Sequence, residues 1–266
     1  VLYTSFAVAA LGLLWLGMGK GLPALLIPAF VIVGQVLAVA IGYAMTVRHL
    51  DNWPEGTGSA DPRSGAWIAA PPILAQASRW LILLVIAAAL GAADAGIFRV
   101  AVLICMLMQL VKTSFATMTG PYLSRAAEAG DIAQMRKVVL IAGGIGIALA
   151  SPVGVVALLA PEWVLSLFGE EFVSGALALQ FLAIGELINV LAGPLGIALV
   201  MQKRERVVLI NEATASLIGL AAAIALLPSW GLAGAGLGLL IASAIRNGVN
   251  AVCVWFTKPP SNEAAV

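Results

Sequence analysis

Charge is scarce in this sequence. Of 266 residues only 10% are Asp, Glu, Lys or Arg, where a soluble domain carries roughly 25%. So few charges could not cover a water-exposed surface, which excludes an ordinary soluble domain. The net charge of +1 provides no overall field for nucleic acid or other polyanions. Histidine is nearly absent: His49, in Arg48-His49-Leu50-Asp51, reads as an interfacial residue. One histidine without a Cys/His cluster argues against a zinc site. The two cysteines, Cys105 and Cys253, sit within apolar stretches and read as buried thiols, neither a disulfide nor metal ligands. No Ser/His/Asp arrangement, phosphate loop or pair of catalytic carboxylates is found, so no enzyme, cofactor or metal is expected. Glu170-Glu171 reads as a helix start outside the membrane, favoured by the helix dipole. The opening VLYTSFAVAALGLLWLG has no basic start or small-residue cleavage site. It begins in an apolar run without Met, so a piece of a longer protein is expected.

Apolar residues fill the space that charge leaves. They make up 62% of the chain, with a mean hydropathy of +1.05, which identifies an all-α, polytopic membrane protein. Charges and Gly/Pro punctuation mark off about eight runs, at 2–18, 23–47, 67–91, 96–120, 137–160, 172–200, 207–228 and 231–257. A span needs about 20 apolar residues, so most runs must tilt or kink. Pro152 and Pro194 are the expected kink positions. Gly234 and Gly238 in GLAGAGLG have the small-xxx-small spacing of closely packed helices. The long linker RHLDNWPEGTGSADPRSGAW, rich in Gly, Pro, Asp and Ser, reads as a hinge between two parts.

The bases sort by side. With alternating spans, Arg48, Arg63, Arg125, Arg136, Lys137, Lys203, Arg204, Arg206 and Lys258 fall on one side, and only Lys20 and Arg99 on the other. The positive-inside rule makes the linker and the C-terminus cytoplasmic. Trp53, Trp163 and Trp230 close apolar runs, as interface anchors do.

Arg79, Lys112 and Arg246 are left, all inside runs. On an insertion scale a central Arg costs about 2.5–3.5 kcal/mol, and each Leu, Ile, Phe or Val returns about 0.3–0.6. The nine such residues of 71–90 return roughly 3–5 kcal/mol on that scale. Arg79 cancels most of this and needs a partner, a wet cavity or an anionic ligand. Counted from a helix start near Pro71, it lies about 12 Å along the axis, too deep for easy snorkelling. Gln76 shares its face, and the fourth run repeats the spacing with Gln109 and Lys112, Thr113 and Thr119 nearby. Glu186 and Asn189 lie in the sixth run, Asn211 and Glu212 in the seventh, and Arg246, Asn247 and Asn250 in the eighth. A structural bridge between Arg246 and Glu186 is expected, with an interfacial or snorkelling role for Glu212 and Lys112. For Arg79 two readings stay open, a face on a cavity or ligand and a partner on another helix.

The order of DAGIFRVAVLICMLMQL, TGPYLSRAAEAGD, LFGEEFVSGALALQFLAIGELINVLAGPLGIALVMQKRERV and LLPSWGLAGAGLG resembles the C-terminal half of polysaccharide and oligosaccharide (O-antigen-type) flippases. These belong to the superfamily that also holds multidrug-and-toxin exporters and lipid II flippases. The resemblance covers 67–258 and more loosely 1–47. Its most specific pieces are the Pro121-to-Asp131 loop, the 168–172 block and the Pro228-to-Gly236 turn. It implies two six-helix lobes around a central cavity. Residues 1–47 would be the last two helices of the N-terminal lobe, 48–66 the cytoplasmic connector, 67–258 a six-helix C-terminal lobe, and 259–266 a cytoplasmic tail. The implied activity is translocation of a polyprenyl-pyrophosphate-linked oligosaccharide across a bacterial inner membrane. The implied partners are that carrier lipid, membrane lipids and glycan-synthesis proteins, and no nucleic acid. Helix depth, not motif, makes Arg79, Gln76, Lys112, Gln109 and Arg246 the candidate cavity residues, with Glu186 and Glu212 an ion-coupling or structural pair. Two alternatives remain: a cation-coupled multidrug antiporter of the same fold, and a non-transporting scaffold for glycan synthesis.

Overall fold

A computed structural model describes residues 62–256. The expectations for 1–47, for most of the connector and for 259–266 lie outside the described residues, as do Lys20, Arg48, His49, Trp53 and Lys258 and the side chain of Arg63. The described residues are helical: α1 Pro62–Ala89, α2 Ala92–Glu128, α3 Ile132–Leu159, the short α4 Pro161–Ser166, a 3-10 turn Glu170–Gly175, α5 Ala176–Met201 and α6 Glu205–Phe256. Five helical segments among them are long and apolar enough to cross a membrane, and exposed Leu84, Leu140, Leu149 and Leu217 present the apolar outer face of a membrane-embedded bundle.

The boundaries depart from the sequence expectations where prolines lie. α1 starts at Pro62, not near Pro71, and runs through Pro71 and Pro72. Two consecutive prolines deprive the carbonyls of Trp67 and Ile68 of their helical donors. All four residues border an open cavity, where those carbonyls can meet water. α2 likewise continues through Pro121 to Glu128, so only 129–131 of the expected Pro121-to-Asp131 loop is a turn. α3 and α5 stay helical through Pro152 and Pro194. Glu170 and Glu171 open the 3-10 turn, in keeping with a helix start.

α6 is a hairpin. Straight, its 52 residues would reach about 78 Å, more than twice a hydrocarbon core of about 30 Å. The chain reverses at Gly231 (φ 53, ψ −136), a conformation open to glycine and costly for other residues. The two arms, 205–230 and 232–256, then pack face to face. A Cβ on Gly238 would lie 2.6 Å from the carbonyl oxygen of Gly219, and one on Gly219 would lie 2.6 Å from the Cβ of Ala242. The small-residue spacing of GLAGAGLG therefore serves close packing, as expected.

The helix ends keep the charge sorting. Arg136 at the start of α3 donates to the carbonyls of Val254 and Trp255, and Arg204 before α6 donates to that of Cys253. They satisfy carbonyls that the last turn of α6 leaves without partners, and Arg136 also stacks on Trp255. Arg206 lies over Trp67. The starts of α1, α3 and α6 and the end of α6 thus share one basic end. The opposite end carries Asp94, Glu162, Glu170 and Glu171, with exposed Trp163 and Trp230. No disulfide joins Cys105, which is buried, and Cys253, which is only half-buried.

Two apolar clusters fill the bundle. Phe98, Ile82, Ile86, Met108 and Leu179 anchor one, and Leu123, Met135, Leu199 and Val254 anchor the other. α2, α5 and both arms of α6 run from one cluster to the other through a band of polar residues.

Candidate functional site

That band is the site. Glu186, Asn189, Asn211, Glu212, Ser216, Ser243, Asn247 and Asn250 are all buried. Buried polar groups are costly unless hydrogen-bonded, and here nearly all are joined to one another.

Arg79 reaches from α1 to Glu186 on α5, Nη2 to Oε1 at 2.9 Å. Gln109 on α2 donates to the same carboxylate oxygen at 2.9 Å, and Asn189 donates to the other at 3.2 Å. Arg246 binds Glu212 across the α6 hairpin, Nη1 to Oε1 at 2.9 Å, and Ser216 donates to the same Glu212 oxygen. Asn189 joins the two pairs. Its Oδ1 accepts from Arg246 Nη2 at 2.7 Å and from Asn247 Nδ2 at 2.8 Å, while its Nδ2 donates to Glu186 and Ser243. Asn211 donates to the Arg246 carbonyl and to Asn250 Oδ1. The network links α1, α2, α5 and both arms of α6 through charge-assisted bonds, which exceed neutral ones in strength.

The geometry corrects two sequence expectations. Arg246 pairs with Glu212 rather than Glu186, because the Gly231 reversal brings residues at similar distances from the turn to one level. Glu212 is not interfacial: it is 6% exposed and held in that pair. For Arg79, both open readings apply. Its partner is a carboxylate on another helix, yet Arg79 also borders the cavity, and among the described residues one of its five N–H groups is bonded.

The cavity is the second feature. It has a volume of about 630 Å³ and opens between α1, α2, α5 and α6. Gln76, Arg79, Gln109, Lys112 and Arg246, the five residues expected to line a cavity, all border it, as does Glu212. Glu186 lies deeper, in a pocket that shares Arg79, Gln109 and Arg246 with it. Lys112, expected to snorkel, instead lays its stem against Gly193 and borders the cavity. Among the described residues no carboxylate lies within ion-pair distance of Lys112, while both arginines are paired. Three bases thus face two acids. Thr113 and Thr119 bond only to their own helix and do not belong to the site. Reasoning from depth assigned no role to Asn189, Ser216 or Ser243. A signal was present in Asn189, three residues after Glu186 and so on the same helical face.

No protein-family model, curated protein or solved structure matches this chain.

Proposed function

We propose that this chain is the C-terminal portion of a flippase that moves a polyprenyl-pyrophosphate-linked oligosaccharide across the bacterial inner membrane for surface polysaccharide biosynthesis, with a fold like that of the multidrug and polysaccharide exporters. In this reading 67–258 is the six-helix C-terminal lobe, 1–47 ends the N-terminal lobe, and the basic end faces the cytoplasm under the positive-inside rule. The carrier lipid is the partner, and glycan-synthesis proteins act beside it.

The observation that carries the reading is Lys112: an ammonium with no carboxylate partner among the described residues, on the wall of a cavity of about 630 Å³. A buried cation in a span needs a counter-charge or water, and a diphosphate supplies the charge. The non-transporting scaffold gains support from the two closed pairs, but it has no use for the cavity or for an excess base. The cation-coupled antiporter needs carboxylates free to hold cations, and both here are held by guanidinium groups.

In the complete protein, Lys112→Gln is expected to reduce rescue of a surface-polysaccharide export defect at least 10-fold at unchanged membrane level, while Lys112→Arg retains most of it. Export by Lys112→Gln at the wild-type rate would remove the cavity role on which the reading stands.

A further inference from the structure

We infer that α1 and α2 carry a second oxyanion site, formed by Arg99 over the ring of Trp80 at the acid-rich end and joined to the cavity through Arg79. The inference rests on the proposed function and extends it with a station outside the mid-span polar band.

Arg99 lies about two turns into α2, half-buried, with its guanidinium 5.3 Å from the Trp80 ring centroid. Among the described residues no carboxylate lies within ion-pair distance of it, although Asp94 and the acidic turns occupy the same end of the bundle. A guanidinium over an indole keeps its N–H edge free, and that edge matches the geometry of a phosphate. A small cleft of about 30 Å³ separates it from Arg79, with Gln76, Phe98 and Met106 among its walls. The cleft has room for only one or two waters, so the oxyanion sits at its mouth, beside half-exposed Trp80.

Arg79 borders both the cleft and the cavity. Lys112, on the far side of Arg79, is 13 residues from Arg99, about 20 Å along α2. Arg99 and Lys112 thus lie on one helix, each without a carboxylate within ion-pair distance among the described residues, with the paired Arg79 between them on its neighbour. The phosphate at Arg99 belongs either to the transported molecule or to a lipid headgroup of that leaflet.

The test counts inorganic pyrophosphate bound to the 266-residue chain in nanodiscs of phosphatidylcholine, by equilibrium dialysis at low salt. The wild type is expected to bind two per chain, Arg99→Gln and Lys112→Gln one each, and Arg99→Lys two with weaker affinity at one. Arg99→Lys keeps the charge and the packing, which guards against loss through misfolding. Nanodiscs with phosphatidylglycerol identify the source: a fall to one site in the wild type means that a lipid headgroup occupies Arg99, and two sites mean that it is left for the transported phosphate. If Arg99→Gln still binds two, or the wild type binds one that only Lys112→Gln removes, the Arg99 site is overturned and the cavity reading stands. A single site lost only in Arg99→Gln keeps the Arg99 site and overturns Lys112. No binding in either nanodisc overturns both.

Discussion

Glu186→Leu is expected to cost about 3 kcal/mol of stability, the low end of what breaking a buried ion pair costs. The change strands Arg79 in the middle of α1, and Gln109 and Asn189 lose the acceptor they share with it. The low end applies because an unfolded chain still in the membrane finds other partners for its polar groups. Removing both charges differs from removing one: Arg79→Met combined with Glu186→Leu is expected to cost about 1–2 kcal/mol, less than Glu186→Leu alone, since the ion pair itself can give way to apolar residues at little loss while Gln109 and Asn189 still lack their acceptor. Reversible unfolding of the four proteins of the cycle in mixed detergent measures the coupling. Additive effects would mean that the 2.9 Å contact contributes nothing.

Asn189→Leu is expected to be nearly as damaging. Asn189 uses both its donors and accepts twice, so the substitution leaves Arg246 and Asn247 each short of an acceptor and Glu186 short of a donor. At about 1–3 kcal/mol for each buried group left unsatisfied, and with Arg246 keeping Glu212, a loss of about 2–4 kcal/mol follows. Beyond its size, the loss has a signature. Asn189 is the link between the two ion pairs, so in its absence substitutions of Glu186 and Glu212 become additive, whereas in the wild type they are coupled. Equal coupling with and without Asn189 would show that the pairs communicate by another route.

The sequence made the helical runs legible because hydrophobicity alone sets them, and it made the isolation of Arg79 legible because charge in a span is rare. Helix ends were less legible. The sequence suggests a helix start near Pro71 and a loop from Pro121, yet a proline can stay inside a helix where the carbonyl it deprives meets water or another donor. Pairing was read only in part. Depth along a helix gives the level of a side chain but not its direction, so Glu186 and Arg246 shared a level without facing each other. A better signal lay in the turn: Glu212 and Arg246 stand at similar distances on either side of the Pro228-to-Gly231 reversal, which brings them together. Asn189 was the hardest to read. An amide joining two ion pairs has no spacing of its own and emerges only once four helices are packed.

The cavity beside Lys112 can be tested without any assumption about cargo. With Cys105 and Cys253 replaced by Ala, Lys112→Cys and Leu107→Cys are compared for reaction with a charged, membrane-impermeant thiosulfonate in vesicles open to both sides. Leu107 lies on the same helix, is 54% exposed and is absent from the cavity wall, so its thiol is expected to face the apolar surroundings of the bundle and stay unreacted. A water-filled cavity at Lys112 gives rapid modification of Lys112→Cys and none of Leu107→Cys. If both thiols stay equally unreactive, the space beside Lys112 is dry, and neither a transport cavity nor an anion site exists there.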